Sequence, residues 1–207
     1  MLNFNYKTEY TQDTVETLKE KIQTCTNCVL CEERTNAVFG DGPSPCDVMI
    51  IGEGPGEQED LSGKPFVGRS GKLLTKFLED AGINREKDVF IANIVKCRPP
   101  KNRNPTKLEI EACKPYLIRQ IQLVKPKVLV LLGAPSLKTV LEEKLAITKV
   151  RGKWYKASVD YMEDDLLIMP LFHPSYLLRN ASNKEGGARW LTALDISKLN
   201  LRRSATK

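Results

Sequence analysis

Four continuous apolar runs punctuate the chain: Asp47-Val48-Met49-Ile50-Ile51, Val89-Phe90-Ile91-Ala92-Asn93-Ile94, Val128-Leu129-Val130-Leu131-Leu132 and Leu166-Leu167-Ile168-Met169-Pro170-Leu171. Runs of this length without polar alternation predict strands buried on both faces. Between them apolar residues recur at helical spacing. Helices are expected over residues 70–81, closed by Gly82; from Thr106 to about residue 123; from Pro135 to about residue 143; and over residues 188–199. Thr106-Lys107-Leu108-Glu109 has the capping-box pattern that opens a helix. An earlier amphipathic helix is expected over residues 13–24, with Val15, Leu18 and Ile22 on one face. The closing RRSATK segment is expected to fray. With no internal repeat or linker, the pattern predicts one α/β domain over residues 1–207. Its architecture is three-layer α/β/α, around a central, mainly parallel four-stranded sheet.

In such folds ligands bind beyond the carboxyl ends of the strands. The first strand leads into Gly52-Glu53-Gly54-Pro55-Gly56-Glu57-Gln58-Glu59-Asp60. The second leads into Asn93 and Lys96-Cys97-Arg98, the third into Gly133-Ala134-Pro135-Ser136, and the fourth into Phe172-His173-Pro174-Ser175-Tyr176. The first loop lacks the Gly-Lys-Ser/Thr ending of a phosphate-binding P-loop. Its carboxylates suit placing a water or stabilising a developing cation. His173, the sole histidine, could donate a hydrogen bond to a leaving group near neutral pH. The Asn93 amide offers a donor and an acceptor for the edge of a base. Phe66, on a glycine-flanked loop, could stack on a flat ligand. For each residue the ordinary alternative is a packed or capping side chain. Convergence of four strand ends is what favours a site.

Composition changes the picture little. A chain of 207 residues with net charge +6 can bury a sizeable core, and its charge permits a polyanionic partner without demanding one. Lys96, Arg98, Lys101 and Arg103 surround Cys97 and could track a phosphate backbone. No apolar run approaches a membrane span, and the N-terminus lacks a signal-peptide core. A cytoplasmic, monomeric protein with reduced thiols is expected.

The cysteines change it more. Cys25 and Cys28 form a C-x2-C pair, while Cys97 and Cys113 lie downstream with fifteen residues between them. Four thiolates suit either an iron–sulfur cluster or tetrahedral zinc, and spacing alone leaves both open. Such a metal would staple the N-terminal segment onto the middle of the chain. Cys31 and Cys46 fit the spacing less well.

The segments GEGPGEQED, GKPFVGRSGKLL, NIVKCRPPKNRNP and FHPSYLLRN, in this order and with these cysteines, resemble the family 4 uracil-DNA glycosylases, the iron–sulfur type of bacteria and archaea. The resemblance runs from about Cys25 to Leu199. It implies a 4Fe-4S cluster held by Cys25, Cys28, Cys97 and Cys113, and excision of uracil from DNA. It further implies that Glu53 helps place the attacking water, that Gly54 brings its backbone to the uracil, and that Glu59 has a supporting catalytic role. By the same resemblance Phe66 stacks on the base, Asn93 reads its edge, and His173 stabilises the departing anion. Three rivals are an electron-transfer protein, a zinc-stabilised nucleic-acid-binding module, and a relative that becomes covalently trapped on uracil-containing DNA. The last carries a basic insertion with a histidine, where this chain reads Lys101-Asn102-Arg103-Asn104-Pro105.

Overall fold

The computed structural model describes residues 1–142 and 145–205, with residues 201–205 described by backbone alone. The strands are β1 (Val48–Gly52), β2 (Phe90–Asn93), β3 (Val128–Leu132), β4 (Tyr155–Ala157) and β5 (Leu166–Leu171). They form one five-stranded sheet in the order β2-β1-β3-β5-β4. The four apolar runs pair in parallel, with Gly52 beside Asn93 and Leu132 beside Leu171. The expected four-stranded sheet therefore gains a fifth, antiparallel edge strand, β4, which pairs Tyr155 with Ile168. Tyr155-Lys156-Ala157 is short and carries an exposed lysine, so it gives no apolar run.

The helices are α1 (Val15–Gln23), α2 (Glu57–Ser62), α3 (Arg69–Asp80), α4 (Arg85–Asp88), α5 (Lys107–Val124), α6 (Gly133–Leu141), α7 (Ile147–Val150), α8 (Pro174–Arg179) and α9 (Ala188–Ala205). The Thr106 capping box forms as expected, with the Glu109 carboxylate accepting from the Thr106 N–H at 2.7 Å. Arg103 grips the same carboxylate with both guanidinium nitrogens, at 2.6 and 2.9 Å, and holds Glu109 down to about 2. The expected limit of α6 at residue 143 lies outside the described residues. The segment expected to fray is helical as far as Ala205, and the residues after it lie outside the description.

Successive strand residues point to opposite faces, and both faces are covered. Met49, Ile51, Leu129, Leu131 and Ile168 meet Leu18 and Ile22 of α1, Leu117 and Ile121 of α5, and Leu137 of α6. On the other face Val48, Ile50, Val128, Val130 and Met169 meet Leu74 and Leu78 of α3 and Ile196 and Leu199 of α9. Each fully buried aliphatic side chain contributes roughly 1.5–3 kcal/mol by leaving water. No helix among the described residues is long and apolar enough to cross a membrane. From β1 the chain first winds outward to β2, then returns to the other side of β1 for β3 and β5. The loops at the carboxyl ends meet where that winding reverses.

Candidate active site

At this edge lies a cavity of about 360 Å³, lined by Glu53, Gly54, Glu59, Phe66, Asn93 and His173 together with Ser70, Pro99, Asn102, Arg103, Ser175 and Arg179. The structure thus brings all six expected site residues together.

Glu59 organises the wall. Its carboxylate accepts from the backbone N–H of Gly56 at 3.0 Å, Val67 at 2.9 Å and Gly68 at 2.8 Å. These bonds tie the start of α2 to the loop that carries Phe66. The segment 57–62, expected as loop, is helical; the Glu59 carboxylate, at its third position, caps it by accepting from the Gly56 N–H.

Phe66 is buried and has φ 52°, a left-handed conformation that strains a bulky residue. Arg85 supplies the restraint. Its guanidinium donates to the carbonyls of Phe66 at 2.7 Å and Pro65 at 2.5 Å and to Thr75 Oγ1 at 2.9 Å. A Cβ on Gly52 would meet both Asn93 Oδ1 and Phe66 Cζ, the latter at 2.5 Å, so glycine at the end of β1 lets ring and amide close over the strand. Sequence pattern gave no hint of Arg85, which sits in a short charged segment. Arg85→Met should lower folding stability by about 3 kcal/mol, since charge-assisted bonds to two loop carbonyls are lost. Urea unfolding measures this.

Glu53 Oε1 and Asn93 Oδ1 are buried without a hydrogen-bond partner among the described residues. Burial raises the Glu53 carboxyl above its ordinary value. Unpaired buried acceptors are costly, and both belong to side chains lining the cavity, so each can accept from a ligand or water.

His173 caps α8, and its Nδ1 accepts from the Ser175 N–H at 3.1 Å. Burial, reinforced by Arg179, pushes its pKa down to about 4 against a weaker opposing pull from Glu59. The imidazole is therefore neutral at physiological pH. With Nδ1 serving as acceptor, the proton resides on Nε2, which is left as a donor. The ring lies 5.9 Å from that of Phe66, tilted by 40°. A carbonyl-bearing flat ligand stacked on Phe66 would meet that donor. Ser175 and Arg179 also line the cavity; the sequence assigned neither a role, since α8, only six residues long, carries no periodic signal.

The expected metal ligands Cys25, Cys28, Cys97 and Cys113 line a second, narrow hollow with Cys31, Arg34, Lys96 and Tyr116. Cys46 lies elsewhere, with its Sγ 3.4 Å from the carbonyls of Val48 and Asp88. Arg34 Nη1 donates to Cys97 Sγ at 3.1 Å, and the Asn27 N–H to Cys25 Sγ at 3.5 Å. A hydrogen bond from Cys113 holds the Cys28 thiol down to about 6 and pushes Cys113 up. Among the described residues no three Cys, His, Asp or Glu side chains are close enough to share a single metal ion. Lys96, expected among basic residues available to phosphates, is instead enclosed.

A flat-ligand pocket at the carboxyl edge of a mostly parallel sheet, with an acid, an amide and a neutral histidine, suits a hydrolase that acts on a nucleobase. The sequence model of the uracil DNA glycosylase superfamily matches residues 39–194, and the chain belongs to that superfamily. Within it the chain is similar to the type-4 uracil-DNA glycosylase of Thermotoga maritima, 48% identical over 84% of this chain and 88% of that protein. The type-4 enzyme of Sulfurisphaera tokodaii is 46% identical over 81% of this chain and 77% of its own length. The likeness to the type-5 uracil-DNA glycosylase of Pyrobaculum aerophilum is slighter, 31% over 46% of this chain and 48% of that protein. The particular group is therefore type 4.

Proposed function

We propose that the chain, acting as one domain in the cytoplasm, removes uracil from DNA by hydrolysing its N-glycosidic bond. The observation that carries this reading is the pairing of an unsatisfied Asn93 acceptor with a His173 donor around the Phe66 ring. Uracil's edge alternates N–H and C=O groups, and this arrangement complements it.

The nucleotide must leave the stack for its glycosidic bond to be reached. Phe66 stacks on the extruded base, Asn93 pairs with its edge, and the Gly54 backbone lies beside it. As the C1′–N1 bond breaks, its electron pair passes to the base, and Nε2–H of His173 stabilises the anion. The sugar acquires oxocarbenium character. Glu53 orients the water that adds to C1′ and accepts its proton, while Glu59 keeps the wall in place. Arg103 and Arg179 on the rim favour the phosphates of the strand, though Arg103 shares its charge with Glu109.

Cys25, Cys28, Cys97 and Cys113 would hold a 4Fe-4S cluster. Thiols from three separate segments around one hollow, facing the cations of Arg34 and Lys96, fit a group with net negative charge. A single zinc draws its thiolates within about 2.3 Å of the metal, a tighter set than the hollow offers. When bound, the cluster supplies a cross-link between the segment after α1 and the segment after β2, and no electron transfer is required.

Purified protein should release uracil from uracil-containing oligonucleotides and leave matched thymine intact. It should be brown and contain iron, retained in Cys31→Ser and Cys46→Ser but lost in Cys97→Ser. Release of thymine from ordinary duplex DNA would refute the substrate assignment. Stoichiometric zinc without iron in anaerobically prepared protein would refute the cluster.

A further inference from the structure

Lys96 is 2% exposed, although its side chain ends in an ammonium. That group donates to the Asn93 carbonyl oxygen at 2.6 Å and to Gln120 Oε1 at 2.5 Å. Gln120 is itself buried and is fixed by donating to the Phe39 carbonyl at 2.6 Å. Both acceptors of the ammonium are neutral. A cation taken out of water needs a counter-charge as well as hydrogen bonds. Lys96 lines the thiol hollow beside Cys97 and Cys113, and an anionic cluster held by these sulfurs would provide that charge. At its other contact it holds the main chain of Asn93, whose side chain lines the uracil cavity with a buried, unpartnered Oδ1.

We propose that Lys96 is a positioning residue that joins the two sites: the negative charge of the group in the thiol hollow fixes its ammonium, and the ammonium fixes the Asn93 carbonyl. The aim of the Asn93 amide at the base then depends on a filled hollow. This inference rests on the cluster reading above. It assigns the cluster a role in shaping the base pocket in addition to cross-linking the chain. Lys96 lies three residues after Asn93, and the carbonyl-to-ammonium bond closes that span into a compact ring that ends one residue before Cys97. Movement of the Cys97 thiolate is thereby transmitted to the end of β2.

The test compares anaerobically purified wild type with Lys96→Met and Lys96→Gln. Methionine keeps much of the apolar stem and removes the donor and charge; glutamine restores a donor without charge. Three quantities are read. They are bleaching of the visible absorption by a chelator, affinity for an oligonucleotide carrying a non-hydrolysable 2′-fluorinated deoxyuridine, and affinity for the matched thymine oligonucleotide. In Lys96→Met the preference for uracil should fall at least tenfold, and bleaching should accelerate severalfold. Thymine-oligonucleotide affinity should stay the same, because phosphate contacts set it. Lys96→Gln should recover part of the uracil preference and still bleach quickly. If Lys96→Met does not fold, the glutamine variant decides by its bleaching rate.

Wild-type preference and bleaching in both variants would overturn the inference while leaving the glycosylase intact. A parallel loss of thermal stability and of affinity for both oligonucleotides would overturn it too, as the mark of a packing residue. Wild-type protein that releases uracil yet holds no iron would remove the cluster reading, and this inference with it.

Discussion

Replacing His173 with alanine should lower the single-turnover rate of uracil release by roughly two or more orders of magnitude, the scale of one lost transition-state donor. The reason lies in how the ring is held. Nδ1 accepts from the Ser175 N–H, and burial holds the pKa down to about 4, so a neutral Nε2–H faces the cavity. This donor strengthens as charge builds on the base, and its loss falls on the chemical step. Binding of uracil-containing DNA should change much less. Loss of DNA affinity and thermal stability together, with near-normal excision by the folded fraction, would remove His173 from the mechanism.

The same burial sets a pH signature. In the unfolded chain the imidazole takes up its proton near 6.5, in the fold only near 4. Between these values the unfolded chain binds more protons, so stability contributed by this residue declines as pH falls from about 6.5 to 4. His173→Ala should flatten that part of the stability profile. Excision should show no titration of His173 between pH 6 and 8.

The sheet was legible because a strand buried on both faces has to be apolar throughout. Each of the four apolar runs is a parallel strand, bounded within two residues of the sequence pattern. Strand β4 was not legible, since an edge strand needs pairing on one side only and tolerates Lys156. Helices α2 and α8 were missed for a related reason. Neither is stabilised by an apolar stripe; each is organised by a site residue, Glu59 accepting from Gly56 and His173 capping Ser175. The positions of Glu53, Asn93 and His173 could be read because strand ends bring them together. Arg85 and Lys96 could not, because sequence does not reveal whether a charged side chain turns inward. Arg85 turns in to meet the carbonyls of a strained loop. Lys96 turns in between Asn93 and Gln120, although its neighbours Arg98, Lys101 and Arg103 gave it the look of a solvated basic patch.

Asn93→Ala should separate activity from stability more sharply than any other change in the cavity. Its Oδ1 is buried without a partner among the described residues, so the free protein bears an unsatisfied acceptor. Removing such a group relieves a desolvation penalty of about 1–3 kcal/mol. Against this stands a small cavity left at the end of β2, where the backbone is held independently by pairing with Gly52 and by Lys96. The two effects oppose each other, and the melting temperature should remain within a few degrees of wild type or rise. Excision should behave otherwise. The amide makes the bonds that identify the base, and deleting it leaves the N–H and C=O of a flipped uracil without these partners. Two such bonds, each worth about 1–1.5 kcal/mol, correspond to a loss of about two orders of magnitude in kcat/KM. Because recognition is lost along with rate, affinity for a non-hydrolysable uracil nucleotide should fall toward that for thymine, in contrast to His173→Ala. Single-turnover excision, equilibrium binding and thermal melting on the same preparation decide the matter. Wild-type excision would show that Asn93 does not read the base, and a large drop in melting temperature would show that its amide supports the fold instead.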